Sequence, residues 1–411
     1  MPGELERCVC CQGSQLLRVL TLGDQPPCNA FSSAGETVPT FPLELNLCES
    51  CLHLQLRFTV PADILFANYP YRTGISNTLV SHFNQLARDL CESNQIMRVL
   101  DVGCNDGTLL SAFKQYGCET WGIDPCDIAN KFRVDWFVRG FCDVATVEQS
   151  ALAHVRFQAI TATNVLAHTA HPLEMLIACE RLLEFDGVIV IESPWALSML
   201  ANNQFDTVYF EHVSYFTVTS MSRLAERANL IVDRVLETPI HGGSVRVFLK
   251  RKRDRSQHCQ AAQHMMAEEA HQIQGGATNA QRRANETCER LNGLVAAQRA
   301  RGRRMVGFGA SGKSSVVLNA CGIDLDFIID QTPEKIGKVS PGRHIPIRDL
   351  FSMPTDDMPI DHVIFAWNCL AECVAKINLA RPLGRSDGII TYVPEVKWQS
   401  LTAATAQATT P

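Results

Sequence analysis

"IMRVLDVGCNDGTLLSAFKQYGCETWGIDP", residues 96–125, opens on a short apolar run, breaks at glycines, continues with apolar residues at helical spacing and closes on a second apolar run ending at Asp124. Strand, glycine turn, helix and strand in that order make the βαβ opening of a doubly wound α/β sheet. Gly103 and Gly107 are spaced G-x-x-x-G, not the G-x-G-x-x-G of a pyrophosphate site, and an acid, Asp101, stands two residues before the first glycine. A ligand with no phosphates but with an ammonium and a ribose suits this arrangement. The glycines allow close backbone approach, Asp101 favours a cationic amino-acid end, and Asp124, about 20 residues on, takes ribose hydroxyls. S-adenosylmethionine has those parts, and Asn105 in the turn joins its candidate contacts. A bare structural β-turn-α is the alternative.

Outward from this unit the alternation continues, with strands at "FQAITATNVLAH" (157–168) and "GVIVIESP" (187–194) on either side of a helical "PLEMLIACERLLEFD" (172–186). Asn164 and His168 close the first of these strands, at the end where open α/β sheets bind their ligands. Upstream, residues 58–95 read as helical and connecting. Downstream, "FDTVYFEHVSYF" (205–216) sets Tyr209, Glu211 and His212 among phenylalanines and valines that would desolvate them. A strand and turn at the core edge, with the polar groups in water, is the plainer alternative. "HGGS" (241–244) reads as backbone approaching a ligand or as a hairpin turn, and "KRKRDR" (250–255) as a solvated strand end.

The chain has 411 residues, 46% hydrophobic and 19% charged, which predicts a globular protein of two or more domains. A net charge of -6 and a pI near 6.1 exclude a general nucleic-acid binder. No apolar run reaches the roughly 18–20 residues of a membrane span, and "MPGELERCVC" lacks a secretory signal. A cytoplasmic protein with no membrane partner is expected. Seventeen cysteines in a reducing compartment then point to metal, catalysis or burial before disulfides. Cys8 with Cys11 and Cys48 with Cys51 form two CxxC turns, each of which lets two thiolates converge on one tetrahedral ion. Structural zinc is expected; Cys10 is a spare, and free buried thiols are the alternative.

Residues 257–304 are rich in Ala, Gln, Arg and Glu, broken by "HQIQGGATNA", and read as helices linking two domains or a partly mobile linker. A second α/β unit follows. Gly307 to Ser314 matches the P-loop pattern G-x-x-x-x-G-K-[ST], yet only about 100 residues remain, and no strand ends in a magnesium-binding Asp unless Asp330 serves. A glycine turn that leads into a helix and is open to anions such as a diphosphate is the preferred reading. The tail "LTAATAQATTP" (401–411) is polar and small, so disorder is expected there.

Taken together, the order of motifs resembles the three-domain sugar C-methyltransferases that act on nucleotide-linked keto-deoxysugars, over about residues 8–395. The resemblance is carried by the paired CxxC turns, "YPYRTGIS" (69–76), "DVGCNDGTLL" (101–110), "NVLAH" (164–168), "YFEHVSYF" (209–216), "HGGS" and "PGRHIPI" (341–347). Phe210 departs from the family's pattern, where a histidine stands, and "GASGKSS" (309–315) is more P-loop-like than the family's turn. The resemblance implies a zinc-binding domain (1–70), a Rossmann-like class I methyltransferase core (71–255), a helical linker (256–300), a C-terminal Rossmann-like α/β domain (301–398) and a disordered tail (399–411). It implies His212 as general base, Tyr209 and Glu211 as orienting groups, and Tyr71 and His168 as lining of the same pocket. It also implies S-adenosylmethionine and structural zinc as cofactors, a nucleotide sugar as the small-molecule partner, and a monomer or homodimer.

Methylating carbon needs an enolate, and an imidazole that titrates near neutral pH suits the base. Glu211 or another acid is expected to hold its tautomer, with Tyr209 or His168 donating to the enolate oxygen. The competing readings are methyl transfer to oxygen or a non-sugar acceptor, and a zinc-containing nucleotide-binding scaffold with a degenerate core.

Overall fold

The computed structural model describes residues 3–61, 64–65, 73–93, 95–126, 134–253, 256–381 and 386–408. Near the N-terminus, β1 (Leu16–Gln25), β2 (Phe41–Cys48) and β3 (Leu54–Leu56) form an antiparallel meander. Leu43, Leu45 and Leu47 alternate with Glu44 and Asn46 along β2 and point to one buried face, the period-two signature of a strand. Helix α1 (Asn77–Ser93) then buries Leu79, Phe83, Leu86 and Leu90 on one stripe.

The central unit runs β4 (Arg98–Val102), α2 (Thr108–Lys114), β5 (Glu119–Asp124), β6 (Trp136–Arg139), α3 (Val144–Gln149), β7 (Phe157–Thr163), α4 (Pro172–Leu182), β8 (Leu183–Pro194) and α5 (Ala196–Ala201). It continues through β9 (Ser214–Tyr215), α6 (Val218–Arg227), β10 (Leu230–Thr238) and β11 (Ser244–Arg251). Seven of these strands make one sheet in the order β10-β11-β8-β7-β4-β5-β6, with β11 antiparallel to both neighbours and the other pairs parallel. Strands β4 and β7 lie at its centre, covered on both faces, so successive residues are buried along most of their length. From β4 the chain winds outward to β5 and β6, then returns to β7 and winds the other way. The crevice at that reversal, at the carboxyl ends of β4 and β7, is where such sheets bind ligands.

Strand β9 belongs to a different sheet. It pairs antiparallel with β3, Ser214 opposite Gln55 and Tyr215 opposite Leu54, so the N-terminal sheet reads β9-β3-β2-β1. The segment 205–216 is therefore a short helical turn (Phe205–Thr207), a tight turn, and a strand donated to the neighbouring sheet.

The linker expectation needs correction. Gln260–Ala300 is a single 41-residue helix, α7, and Gly275 and Gly276 do not interrupt it. A Cβ on Gly276 would lie 3.1 Å from the Leu200 Cβ, so the missing side chain lets α7 approach α5, and that contact outweighs the weak helix propensity of glycine. Ala262, Ile273, Ala277, Ala284 and Leu291 bury one stripe of the helix.

The last unit comprises β12 (Arg304–Phe308), α8 (Gly312–Cys321), β13 (Phe327–Ile329), β14 (Ile347–Arg348), β15 (Ile360–Ile364), α9 (Leu370–Ala380), β16 (Gly388–Thr391), β17 (Lys397–Ser400) and α10 (Leu401–Ala408). Its sheet order is β14-β13-β12-β15-β16-β17, parallel except for β17. The tail expected to be disordered is instead helical over Leu401–Ala408, because Leu401 and Ala404 pack into this unit's core. The P-loop reading also fails. Gly307 lies inside β12, paired with Ile328 and Val363, where a Cβ would meet the Phe365 ring at 2.8 Å. Only Gly309, Ala310 and Ser311 remain as turn, and Asp330 accepts the Ala310 N–H at 2.7 Å instead of facing a metal. Cys288 of α7 is disulfide-bonded to Cys321 of α8, a pairing that the sequence reading ranked behind other uses of cysteine. Among the described residues no helix is long and apolar enough to cross a membrane.

Candidate active site and zinc centre

Cys8, Cys11, Cys48 and Cys51 place their four sulfurs within 4.8 Å of one another, with Cys8 to Cys51 at 3.5 Å and Cys11 to Cys48 at 3.6 Å. A tetrahedral site with Zn–S near 2.3 Å needs sulfurs roughly 3.8 Å apart, so the set fits zinc with no position left for substrate. Cys10 is no substitute: it stands outside the four-sulfur cluster.

A cavity of about 680 Å³ opens at the crevice beyond β4 and β7 and runs on toward α8. At one end it is lined by Asp101, Gly103, Asn105, Asp124 and Asn164. Gly103 (φ 66°) and Gly107 (φ 74°) both take the left-handed conformation, and a Cβ on Gly103 would overlap Val165. Gly107 caps α2 without lining the cavity. Asp124 accepts the N–H groups of Asn105 (2.9 Å) and Cys126 (2.8 Å) as well as the Cys126 thiol, which leaves lone-pair capacity on the carboxylate for a ligand hydroxyl. Burial pushes Asp101 up to about 7 although Thr161 donates to it at 2.7 Å; an ammonium beside it would restore the carboxylate. Among the described residues the buried Oδ1 of Asn164 has no hydrogen-bond partner and is open to a donor. These groups fit the amino-acid and ribose ends of S-adenosylmethionine. Asp106, which the sequence reading passed over, ties Gly74 of the "TGIS" segment to the glycine turn through an N–H bond of 2.8 Å.

The other end of the cavity holds His168, Tyr209, His212 and His241. The Tyr209 hydroxyl lies 3.0 Å from His212 Nε2, the two rings are 4.2 Å apart, and the His168 ring stands 4.8 Å from His212, edge to face. Burial first, then the positive forms of His168, His241 and Lys313, hold His212 well below the ordinary imidazole range, so the ring is neutral. The Thr207 carbonyl bonds the same ring. With Nε2 facing the phenol, that carbonyl is left to Nδ1–H, which assigns the tautomer with a basic Nε2.

Glu211 does not hold the His212 tautomer, the second of the two parts expected of it. Its carboxylate accepts Asn29 Nδ2 at 3.0 Å beside the Cys28 thiol, both from the β1–β2 loop, and the Thr207 carbonyl holds the His212 tautomer in its place. The glycines of "HGGS" serve packing: Gly243 abuts Ser198 and Gly242 abuts Trp367, while His241 faces the cavity. Tyr71 lies outside the described residues. Cys28 and Asn29 line the cavity unforeseen, whereas His241 and Lys313, which also line it, belong to the "HGGS" and Gly307–Ser314 segments that the sequence singled out without naming a role for these two side chains.

Three family models match the chain in succession: a zinc binding domain over residues 8–66, a methyltransferase domain over 76–235 and a C-methyltransferase C-terminal domain over 239–394. The C-methyltransferase NovU of Streptomyces niveus is 30% identical over 393 residues, 90% of this chain and 91% of that protein. A ubiquinone biosynthesis O-methyltransferase of Haemophilus ducreyi is 32% identical over 105 residues, 23% of this chain and 44% of that one. Among solved structures, an S-adenosylmethionine-dependent methyltransferase from Clostridium acetobutylicum aligns with 42% of this chain and 92% of its own at 10% identity and a TM-score of 0.33. A likeness to NovU that spans both proteins nearly end to end, together with the three domain models matched in succession on this chain, makes it a member of the S-adenosylmethionine-dependent C-methyltransferase family, with a zinc-binding N-terminal domain.

Proposed function

We propose that the enzyme methylates a carbon next to the ketone of a nucleotide-linked keto-deoxysugar, in the cytoplasm, as a monomer or homodimer. The observation that carries this reading is the neutral His212, held by Tyr209 and Thr207 in the same cavity as the crevice of β4 and β7. His212 Nε2 removes the proton from the carbon next to the ketone, and the electron pair moves onto the ketone oxygen. Tyr209 turns its hydroxyl from Nε2 to that oxygen as the base takes up its proton, with His168 positioning the sugar. When bound at the crevice, S-adenosylmethionine supplies the sulfonium methyl that the enolate carbon takes, with S-adenosylhomocysteine as leaving group. Asp101, Asn105, Asp124 and Asn164 orient that cofactor, Gly103 admits it while Gly107 shapes the turn before α2, and Glu211 orients the wall from behind. Lys313 and Lys335 line the far end and supply positive charge for the diphosphate.

Incubation of the purified enzyme with S-adenosylmethionine and a panel of nucleotide-linked 4-keto-deoxysugars, followed by mass spectrometry, should add one CH2 to the sugar fragment of at least one acceptor. His212→Gln should lower turnover by about a hundred- to ten-thousandfold while calorimetry finds cofactor binding intact. Near-normal turnover in that variant would remove His212 as the base.

A further inference from the structure

The residues on both sides of His212 are held by the N-terminal zinc module. On one side, Glu211 is 1% exposed and its Oε1 accepts Asn29 Nδ2 at 3.0 Å, while its backbone carbonyl bonds the His168 ring. On the other, the Val213 carbonyl accepts the Leu56 N–H at 2.9 Å, the Ser214 hydroxyl lies 3.2 Å from His53 Nε2, and β9 pairs with β3. Strand β3 starts three residues after Cys51, and the buried Gln55 side chain ties it to the first CxxC turn by accepting Val9 N–H (2.9 Å) and donating to the Arg7 carbonyl (3.0 Å). Asn29 sits in the loop between β1 and β2, and β2 ends at the ligand Cys48.

We propose that the zinc module is a positioning element for the base His212, with Asn29 as its point of contact on Glu211. The metal sits at the far end of this linkage and takes no part in the chemistry. Its presence fixes the two CxxC turns, these fix β2 and β3, and those strands set the backbone from Glu211 to Tyr215 on which the His212 and His168 rings depend. A module that contributed stability alone would leave the rings unmoved when Asn29 is changed in a folded, zinc-loaded protein. The positioning of His212 matters because it is read here as the base, so the inference rests on that reading.

The test uses full-length protein with ¹⁵N-labelled histidine, with the His212 ring signals identified by their loss in His212→Gln. In Asn29→Ala, the His212 and His168 ring signals should shift from those of a single tautomer toward a mixture. Zinc content and S-adenosylmethionine affinity should stay within about twofold, and turnover should fall by about tenfold or more. Removing zinc from the wild-type protein with a chelator should move the same ring signals, which keeps the test decisive if Asn29→Ala folds poorly. Unchanged His212 signals in both cases would overturn the proposal. The ring signals need no acceptor, so a failure of the sugar panel would be told apart from a failure here.

Discussion

Burial decides the chemistry of single histidines in this protein. His212 is surrounded by His168, His241 and Lys313, so its proton-free form persists where an exposed imidazole would be charged. Its folded value lies below 6.5, so the ring is able to act as the proposed base above that pH and loses that capacity only as the pH falls through the depressed value. The acid limb of the kcat/KM profile should therefore have its midpoint below 6.5, and a midpoint at or above that value would contradict the assignment. His362 on β15 is a buried histidine that does not line the cavity: among the described residues neither ring nitrogen has a hydrogen-bond partner, and burial lowers it to about 4 from 6.5. The neutral ring is favoured in the fold, so its contribution is fully present above pH 6.5 and disappears as the pH falls toward 4. His362→Met should remove that loss, about 3 kcal/mol at most, and move the acid-unfolding midpoint to lower pH; an identical curve would count against it. At this scale the sequence was legible where function crowds residues together, as at Tyr209 and His212, and silent about Asn29, which meets Glu211 across 182 positions.

Among the elements, α7 shows how a helix that reads as a linker becomes part of the core. Glu269, wholly buried on it, accepts Trp195 Nε1 (2.6 Å), the Val218 and Thr219 N–H groups and the Thr219 hydroxyl, so it caps the start of α6 and pins the chain after β8. Glu269→Ala would strand four donors in the interior. It should cost about 3–5 kcal/mol in urea unfolding, with Glu269→Gln losing clearly less; an Ala variant as stable as wild type would refute the capping role. The βαβ unit at 96–125 was readable because its strand, turn and helix are contiguous and obey local rules. The glycines of α7 misled for the opposite reason, since Gly276 answers to Leu200, and the P-loop pattern, set aside on sequence grounds, gives way likewise to the packing of Gly307 on Phe365; neither partner lies in a local pattern.

Across the whole molecule, the units are joined by buried polar contacts that converge on one cavity. Asp206, in the turn before Tyr209, accepts Trp367 Nε1 and the Tyr392 hydroxyl, both at 2.7 Å, and so ties the segment 205–216 to the C-terminal unit. Asp206→Ala should destabilise the protein by about 2–5 kcal/mol and lower turnover, as measured by urea unfolding and steady-state kinetics; an unperturbed variant would show that the contact is incidental. The division into three matched domains was legible from motif order, whereas the exchange of a strand between them was not, since β9 is only two residues long. That exchange bears on how the protein is made. As the chain leaves the ribosome, β3 emerges with one edge open, and its partner Ser214 is translated 161 residues after His53. Until then the nascent N-terminal module presents a bare strand edge to other chains, so its assembly must wait for most of the methyltransferase core.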